Sequence, residues 1–106
     1  QTCALPIFII RLGRIGIIER LEIDTAHFKG NYPSGCTLQA ALSPHLQEEA
    51  LVAQAMFWDE VLDYSELTAD SVHSFDLRKL GAVSHVKLNI YPDGGVSRVR
   101  IFGEAN

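Results

Sequence analysis

Cysteine, methionine and tryptophan are scarce in this sequence of 106 residues, which holds two, one and one of them respectively. Two cysteines are too few for the disulfide framework of a small secreted domain, so that class of protein is excluded. A cysteine without a disulfide partner, such as Cys36 if Cys3 is set aside, is more often a small buried residue than a nucleophile, and we assign it no chemical role. Unpaired thiols are typical of a reducing compartment, and we expect a cytoplasmic protein.

Clusters of basic residues are also missing. Nine lysines and arginines are scattered among 13 aspartates and glutamates, and the net charge is −4. Without a basic stripe we expect no nucleic-acid partner, and an acidic surface disfavours binding to anionic membranes. The apolar run at residues 4–10 is too short to span a membrane. The composition is that of one ordinary globular domain, or of a part of one.

Residues 1–7 read Gln-Thr-Cys-Ala-Leu-Pro-Ile, the in-frame translation of a common sequencing-library adaptor. We therefore expect them to be a cloning artefact, and we assign the domain to residues 8–106. In that case Cys36 is the only native cysteine in the sequence, and it cannot form a disulfide within the chain.

Residues 85–103 contain two runs of alternating apolar and polar residues that flank Pro92-Asp93-Gly94-Gly95. Proline, an acid and glycines in this order favour a tight chain reversal, so we predict a β-hairpin. Its apolar face pairs Val86 with Ile101 and Leu88 with Val99, and its polar face pairs His85 with Phe102, Lys87 with Arg100 and Asn89 with Arg98. Lys87 opposite Arg100 is a like-charge pair, which either points into water or receives a carboxylate ligand.

Shorter strands are predicted at residues 15–25, 36–42 and 72–77, where apolar and polar residues alternate. Residues 47–55 have the composition of a short helix, although they could equally cross a sheet as a strand. Met56 and Trp58 are predicted core anchors, and residues 63–71 a polar connection. Five short strands joined by turns predict an all-β fold, an antiparallel β-sandwich.

Asp24 ends one of these strands and is followed by a loop, residues 26–35, that is rich in glycine, asparagine and proline. Polar loops at strand ends are common places for functional sites. The loop offers His27, Lys29 and Asn31, which with Asp24 supply an acid, a base, a cation and an amide. Structural roles are the alternative, because Asp24 can satisfy loop N–H groups and His27 can be a packed histidine.

Two stretches together resemble the allantoicase family: Ile-Asp-Thr-Ala-His-Phe-Lys-Gly-Asn-Tyr-Pro at residues 23–33 and the predicted hairpin at residues 85–103. Gln-Ala-Met-Phe-Trp from Gln54 and His-Ser-Phe from His73 are similar to the family's pattern too. The resemblance implies two tandem jelly-roll repeats that resemble galactose-binding domains. This chain resembles most of the second repeat without its opening strands. We therefore expect a fragment that is inactive alone, from a homo-oligomeric parent.

The reaction implied by the resemblance is the hydrolysis of allantoate to ureidoglycolate and urea in purine (allantoin) degradation. Breaking the bond between a saturated carbon and a ureido nitrogen needs an acid, a base that directs water, and a cation for the substrate carboxylate. The predicted catalytic residues are Asp24 and His27, and the predicted substrate-binding residues are Lys29, Asn31, Asn89 and Arg98.

The sequence does not decide whether the protein binds a metal ion. Asp24, His27, His73, His85 and Asp93 carry donors that suit a divalent ion, but no ligand spacing ties them together. We therefore expect no metal cofactor by default. A second function that the fold permits is a non-catalytic β-sandwich that uses the same loop to bind a small polar ligand such as a sugar.

Overall fold

The computed structural model describes residues 7–45, 47–91 and 95–105. Its elements are β1 Ile7–Asp24, β2 Gly35–Ala41, α1 Glu48–Ala55, β3 Asp59–Glu66, β4 Val72–Asp76, β5 Val83–Tyr91 and β6 Arg98–Ala105. The strand pairings are antiparallel, in the order β3-β2-β5-β1-β4 with β6 also paired to β1. This is the all-β jelly-roll sandwich that the sequence predicts. Within the described residues no helix is long and apolar enough to cross a membrane.

Strand β1 belongs to both layers of the sandwich. Its first part, from Ile7 to Arg11, pairs with β5, whereas its last part lies between β4 and β6. The register with β5 shifts between Arg11 and Gly16, and an irregularity of this kind bends a strand. β1 thereby leaves the layer of β5, β2 and β3 and enters the layer of β4 and β6. One strand end, at Asp24, is therefore flanked on both sides.

The two layers enclose one apolar core. Alternate residues of β1, β2 and β5 point inward, as the two-residue period of a strand requires. Leu21, Ile23, Leu38, Leu88 and Ile90 are each no more than 1% exposed and belong to one cluster. Complete burial of a side chain of this size stabilises a fold by about 1.5–3 kcal/mol. These residues hold the two layers together and fix the end of β1.

The predicted hairpin of β5 and β6 is wrong. β5 pairs with β2 and β1, whereas β6 pairs with β1 within the described residues, so Val86 faces Ile10 rather than Ile101. Residues 92–94 of the turn predicted at Pro92 to Gly95 lie outside the described residues. The alternation still identifies the correct inner face, since Val86 and Leu88 belong to the core cluster. The alternation of apolar and polar residues shows which side of the strand a residue faces, but it does not show which strand lies beside it.

The predicted pair of Lys87 and Arg100 is also wrong. Arg100 faces Glu22 on β1, and its guanidinium lies 3.8 Å from that carboxylate. Lys87 is only 7% exposed, and its ammonium donates a hydrogen bond to the carbonyl oxygen of Ala55 at the end of α1 (3.4 Å). Lysines are mostly exposed, so the sequence favours a solvated cation here. The region at the end of α1 covers the face of β5 that carries Lys87, so Lys87 is buried although the sequence predicts it to be exposed.

The other elements follow the sequence in part. α1 and β4 are confirmed as a helix and a strand. Trp58 is buried as expected of a core anchor, but Met56 is exposed, so its predicted burial is wrong. β3 is a strand where the sequence predicts a polar connection from residue 63 onward. It pairs with β2 and ends the strand order, and the charged residues typical of such edge strands hide its alternation.

Cys36 gives a first testable prediction. Burial in the core raises the pKa of its thiol to about 11, so only about 0.1% is thiolate at pH 8. We expect native protein carrying Cys3→Ser to resist iodoacetamide for hours at pH 8 and to react within minutes once unfolded in guanidinium, with the extent of labelling measured by mass spectrometry. Native labelling as fast as that of glutathione would contradict the buried position.

Candidate functional site

The loop after β1 begins where β1 lies between β4 and β6. Asp24, the last residue of β1, faces Arg98 of β6 on one side and Val72 of β4 on the other. These side chains share the outer face, because the neighbouring Ile23 is fully buried in the core. Facing residues of an antiparallel pair have Cβ atoms about 5 Å apart. The structure therefore brings the Asp24 carboxylate and the Arg98 side chain to one edge of the sandwich.

Asp24 also has the structural role that the sequence offers as an alternative. One of its carboxylate oxygens accepts the backbone N–H of Ala26 at 2.8 Å. Within the described ranges its second oxygen has no hydrogen-bond partner. Such a turn leaves half of the carboxylate available to a ligand, so the structural and the chemical role are compatible.

His27 is exposed, and so are Lys29 and Asn31 on the same loop. The alternative of a packed histidine is therefore wrong. The backbone of His27 adopts a positive φ of 73°, and its N–H donates to a carboxylate oxygen of Asp70 at 2.8 Å. A left-handed conformation costs a residue other than glycine about 1–2 kcal/mol. Strain of this kind is common at functional sites, where surrounding contacts maintain it.

The segment between β5 and β6 closes the loop from the other side. The N–H of Ser97 donates to the carbonyl oxygen of Asp24, and the N–H of Gly95 donates to that of Asn31, both at 2.7 Å. The ring of Phe28 lies so close to Gly95 that a methyl group there would overlap it. The loop is thus held at both ends, and its exposed polar side chains stand on a fixed backbone.

Asn89 lies apart from these residues. It is 6% exposed on the face of β5 that β2 shares, and its amide donates to Thr37 Oγ1 at 3.0 Å and to Gln39 Oε1 at 3.1 Å. Its predicted pairing with Arg98 is wrong, because β6 does not pair with β5 in the described part of the chain. The involvement of Asn89 in substrate binding stays a prediction.

His85 belongs to the same buried face as Asn89. Its ring centroid lies 5.7 Å from that of Trp58, and its Nδ1 is 2.8 Å from the hydroxyl of Ser84. Burial, and secondarily the Arg11 guanidinium, lowers the pKa of His85 below its ordinary value. The lowered pKa favours the neutral imidazole, and the ring packs against Trp58 on the face of β5 opposite the core residues Val86 and Leu88, rather than beside the loop.

The candidate metal ligands within the described residues do not assemble into a cluster. Across residues 7–45, 47–91 and 95–105 no three His, Cys, Asp or Glu side chains are grouped so that they could hold a metal ion. His73 uses both ring nitrogens, with Nδ1 3.0 Å from the carbonyl oxygen of Ile23 and Nε2 2.8 Å from the N–H of Thr68. Asp93 lies outside the described residues.

Sequence reasoning misses the partners that hold the loop, chiefly Asp70 and Ser97. Asp70 lies in a stretch of threonine, alanine, aspartate and serine that reads as an ordinary connection. Only the pairing of β1 with β4 brings it beside His27. A strand end rich in polar residues can be found from sequence, but the second loop that packs on it cannot.

This chain is similar to proteins that are named allantoicases. The model of the family described as allantoicase repeat matches residues 3–106. A probable allantoicase 2 of Burkholderia pseudomallei is 55% identical over 98 residues, which cover 91% of this chain and 29% of that protein. A probable allantoicase of Rhizobium meliloti is 52% identical over 101 residues, which cover 90% of this chain and 30% of that protein. The chain thus spans less than a third of the length of these curated relatives.

A solved structure agrees with the sequence comparisons. The crystal structure of allantoicase from Saccharomyces cerevisiae superposes with a TM-score of 0.75 and 38% identity, covering 92% of this chain and 27% of that one. The similarity therefore extends to the fold of the described sandwich and is not confined to short motifs. This chain belongs to the allantoicase repeat family.

Proposed function

We propose that the full-length protein containing this chain hydrolyses allantoate to ureidoglycolate and urea, a step of purine (allantoin) degradation. The observation that carries the proposal is the match of residues 3–106 to the allantoicase repeat, and relatives at 55% and 52% identity are named probable allantoicases. Because the chain covers 29% of the first of these relatives, the activity is assigned to the whole protein and not to these residues alone.

The chemistry defines what the site must supply. Allantoate carries a carboxylate and two ureido groups on one saturated carbon, and the bond between that carbon and a ureido nitrogen breaks. The leaving nitrogen must gain a proton, the remaining ureido nitrogen can stabilise an imine-like intermediate, and a base must direct water to it. A cation must bind the carboxylate, and acceptors must bind the ureido N–H groups.

We assign the acid and base roles to His27 and Asp24. Both lie at the end of β1 on a backbone held by hydrogen bonds to Asp70 and Ser97. His27 is exposed and Asp24 keeps one carboxylate oxygen without a partner inside the described segments. A fixed backbone with accessible acid–base groups favours catalysis, because side chains placed in advance need no reorganisation during the reaction.

We assign the binding of the substrate carboxylate to Arg98 or Lys29. Arg98 faces Asp24 across the pairing of β1 and β6, so a carboxylate bound by its guanidinium would lie near the candidate acid and base. A guanidinium can bind a carboxylate through two parallel hydrogen bonds. Lys29 and Asn31 lie exposed on the same loop and offer a second cation and an amide acceptor.

The setting of the reaction is part of the proposal. The parent protein would carry a second sandwich repeat, form a homo-oligomer and work in the cytoplasm. Its side chains would carry out the reaction without a resident metal ion. Residues 1–7 would derive from an adaptor sequence, with the repeat itself in residues 8–106. Each of these statements stays a prediction, and the full reading frame of the parent gene tests those on the second repeat and on residues 1–7.

The proposed function is tested with the full-length protein. Incubation with allantoate is expected to release urea and ureidoglycolate in equal amounts, with a rate that saturates as the allantoate concentration rises. The measurement is a coupled urea assay together with quantification of both products. Saturable binding of a sugar without any urea release would instead identify a non-catalytic binding module and would refute the proposal.

A further inference from the structure

The loop between β3 and β4 contacts the loop that carries His27. The N–H of His27 donates to the Oδ1 atom of Asp70 at 2.8 Å, and the N–H of Asp70 donates to the carbonyl oxygen of Phe28 at 3.2 Å. Two hydrogen bonds in opposite directions therefore join the loops at this point. One of them uses a carboxylate, and hydrogen bonds of charged acceptors are about twice as strong as neutral ones.

Both partners have an unusual backbone conformation. His27 has a φ of 73° and Asp70 a φ of 46°, and they are the two positive values among the described residues other than glycine. Conformations of this kind persist where surrounding contacts determine them. Since the Asp70 carboxylate accepts the His27 N–H itself, it acts directly on the residue whose backbone is strained. Without it, nothing of comparable strength within the described residues binds that N–H.

The loop of Asp70 is itself anchored to β1. The hydroxyl of Thr25, which is fully buried, donates to the carbonyl oxygen of Thr68 at 2.7 Å and accepts the N–H of Ser71 at 3.0 Å. His73 Nδ1 donates to the carbonyl oxygen of Ile23, and its Nε2 accepts the N–H of Thr68. Asp70 is thus held on a rigid support that includes the core strand, so its carboxylate can impose a conformation on the loop.

We propose that Asp70 is a positioning residue for the reaction at His27, where its carboxylate holds the backbone in the left-handed conformation that places the imidazole on the substrate. The inference rests on the proposed function, because it requires His27 to take part in catalysis. Asp70 itself does not touch the substrate. Its effect is exerted through the geometry of His27, and displacement of a catalytic group by about 1 Å can lower a rate about 100-fold.

Three variants of Asp70 in the full-length protein distinguish the effect of the carboxylate from the effect of the backbone conformation at residue 70. Asp70→Asn retains an oxygen acceptor and tolerates positive φ. Asp70→Gly tolerates positive φ but lacks the acceptor, and Asp70→Ala lacks both. Using allantoate as the substrate, we expect Asp70→Asn to stay within about 5-fold of the wild-type kcat, whereas Asp70→Gly and Asp70→Ala lose about 100-fold in kcat with little change in KM.

A double-mutant cycle excludes a merely structural role. Because Asp70 is proposed to act through the imidazole of His27, Asp70→Gly should lower kcat/KM no more than about 3-fold further once His27→Asn is present. A full additional 100-fold loss in that background would overturn the proposal, as would wild-type kcat in Asp70→Gly alone. Absence of turnover in the wild type would refute the proposed function, whereas activity that depends on His27 but not on Asp70 would refute only this inference.

Discussion

A His27→Asn variant of the full-length protein is expected to hydrolyse allantoate about 10²- to 10⁴-fold more slowly than the wild type, since a positioned acid or base contributes a factor of this size. Asparagine tolerates the positive φ of 73° at this position, so the backbone can keep its conformation while the imidazole is lost. Initial rates of urea release over a range of allantoate concentrations give kcat and KM separately.

An Asp24→Asn variant tests the second candidate in the same assay. Its amide oxygen can still accept the N–H of Ala26, which the carboxylate accepts at 2.8 Å, so the turn is retained and only the charge is removed. The matched control is His45→Asn, because His45 is another exposed histidine that lies between β2 and α1. We expect wild-type kinetics for the control. Near-normal turnover in both His27→Asn and Asp24→Asn would remove this loop from the mechanism.

The second large effect is expected from Gly103→Ala, which should destabilise the sandwich by about 3 kcal/mol. A methyl group at Gly103 would overlap the carbonyl oxygen of Ile17 and lie 2.8 Å from the Cα atom of Ile18. These are backbone atoms of β1, so no side-chain rotation can relieve the overlap. The strands β1 and β6 would have to separate where Gly103 faces Ile18.

Gly13→Ala is the matched control for this prediction, because among the described residues no heavy atom beyond its chain neighbours lies within 4 Å of the methyl group that it would add. We expect its stability to stay within about 0.5 kcal/mol of the wild type. Denaturation midpoints in urea compare the two variants, and hydrogen exchange measured by mass spectrometry localises the effect to peptides of β1 and β6. Equal protection of those peptides in both variants would show that the strands are not in close contact at Gly103.

The sequence is a good guide to which side of a strand faces the apolar core. Leu21 and Ile23 are predicted to share one face, and so are Val86 and Leu88, and all four are fully buried. Alternation is a local property that the chain carries without reference to its neighbours. The partner of β5 is decided instead by contacts between residues far apart in the sequence, so the turn predicted at Pro92 to Gly95 leads to the wrong pairing.

The candidate site is predictable to a similar degree. A strand that ends at Asp24 and continues into a polar loop is visible in the sequence, and the structure places Arg98 beside it, although through β1 and not through β5. The contribution of Asp70 is not predictable, because the pairing of β4 with β1, which joins residues far apart in the sequence, brings its loop to His27. The burial of Lys87 is missed for the same reason, since its cover comes from the end of α1.

The position of β1 has a consequence for the biogenesis of this protein. On the ribosome β1 is made well before its partners β5 and β6, since Ile10 pairs with Val86 and Gly16 pairs with Ala105. Most of β1 therefore remains without partner strands until β5 and β6 have emerged, because β4 pairs only with Arg20 to Asp24. This delay exposes nascent chains to aggregation. We expect newly synthesised chains to depend on chaperones during this interval, and translation pauses before β5 would lengthen it.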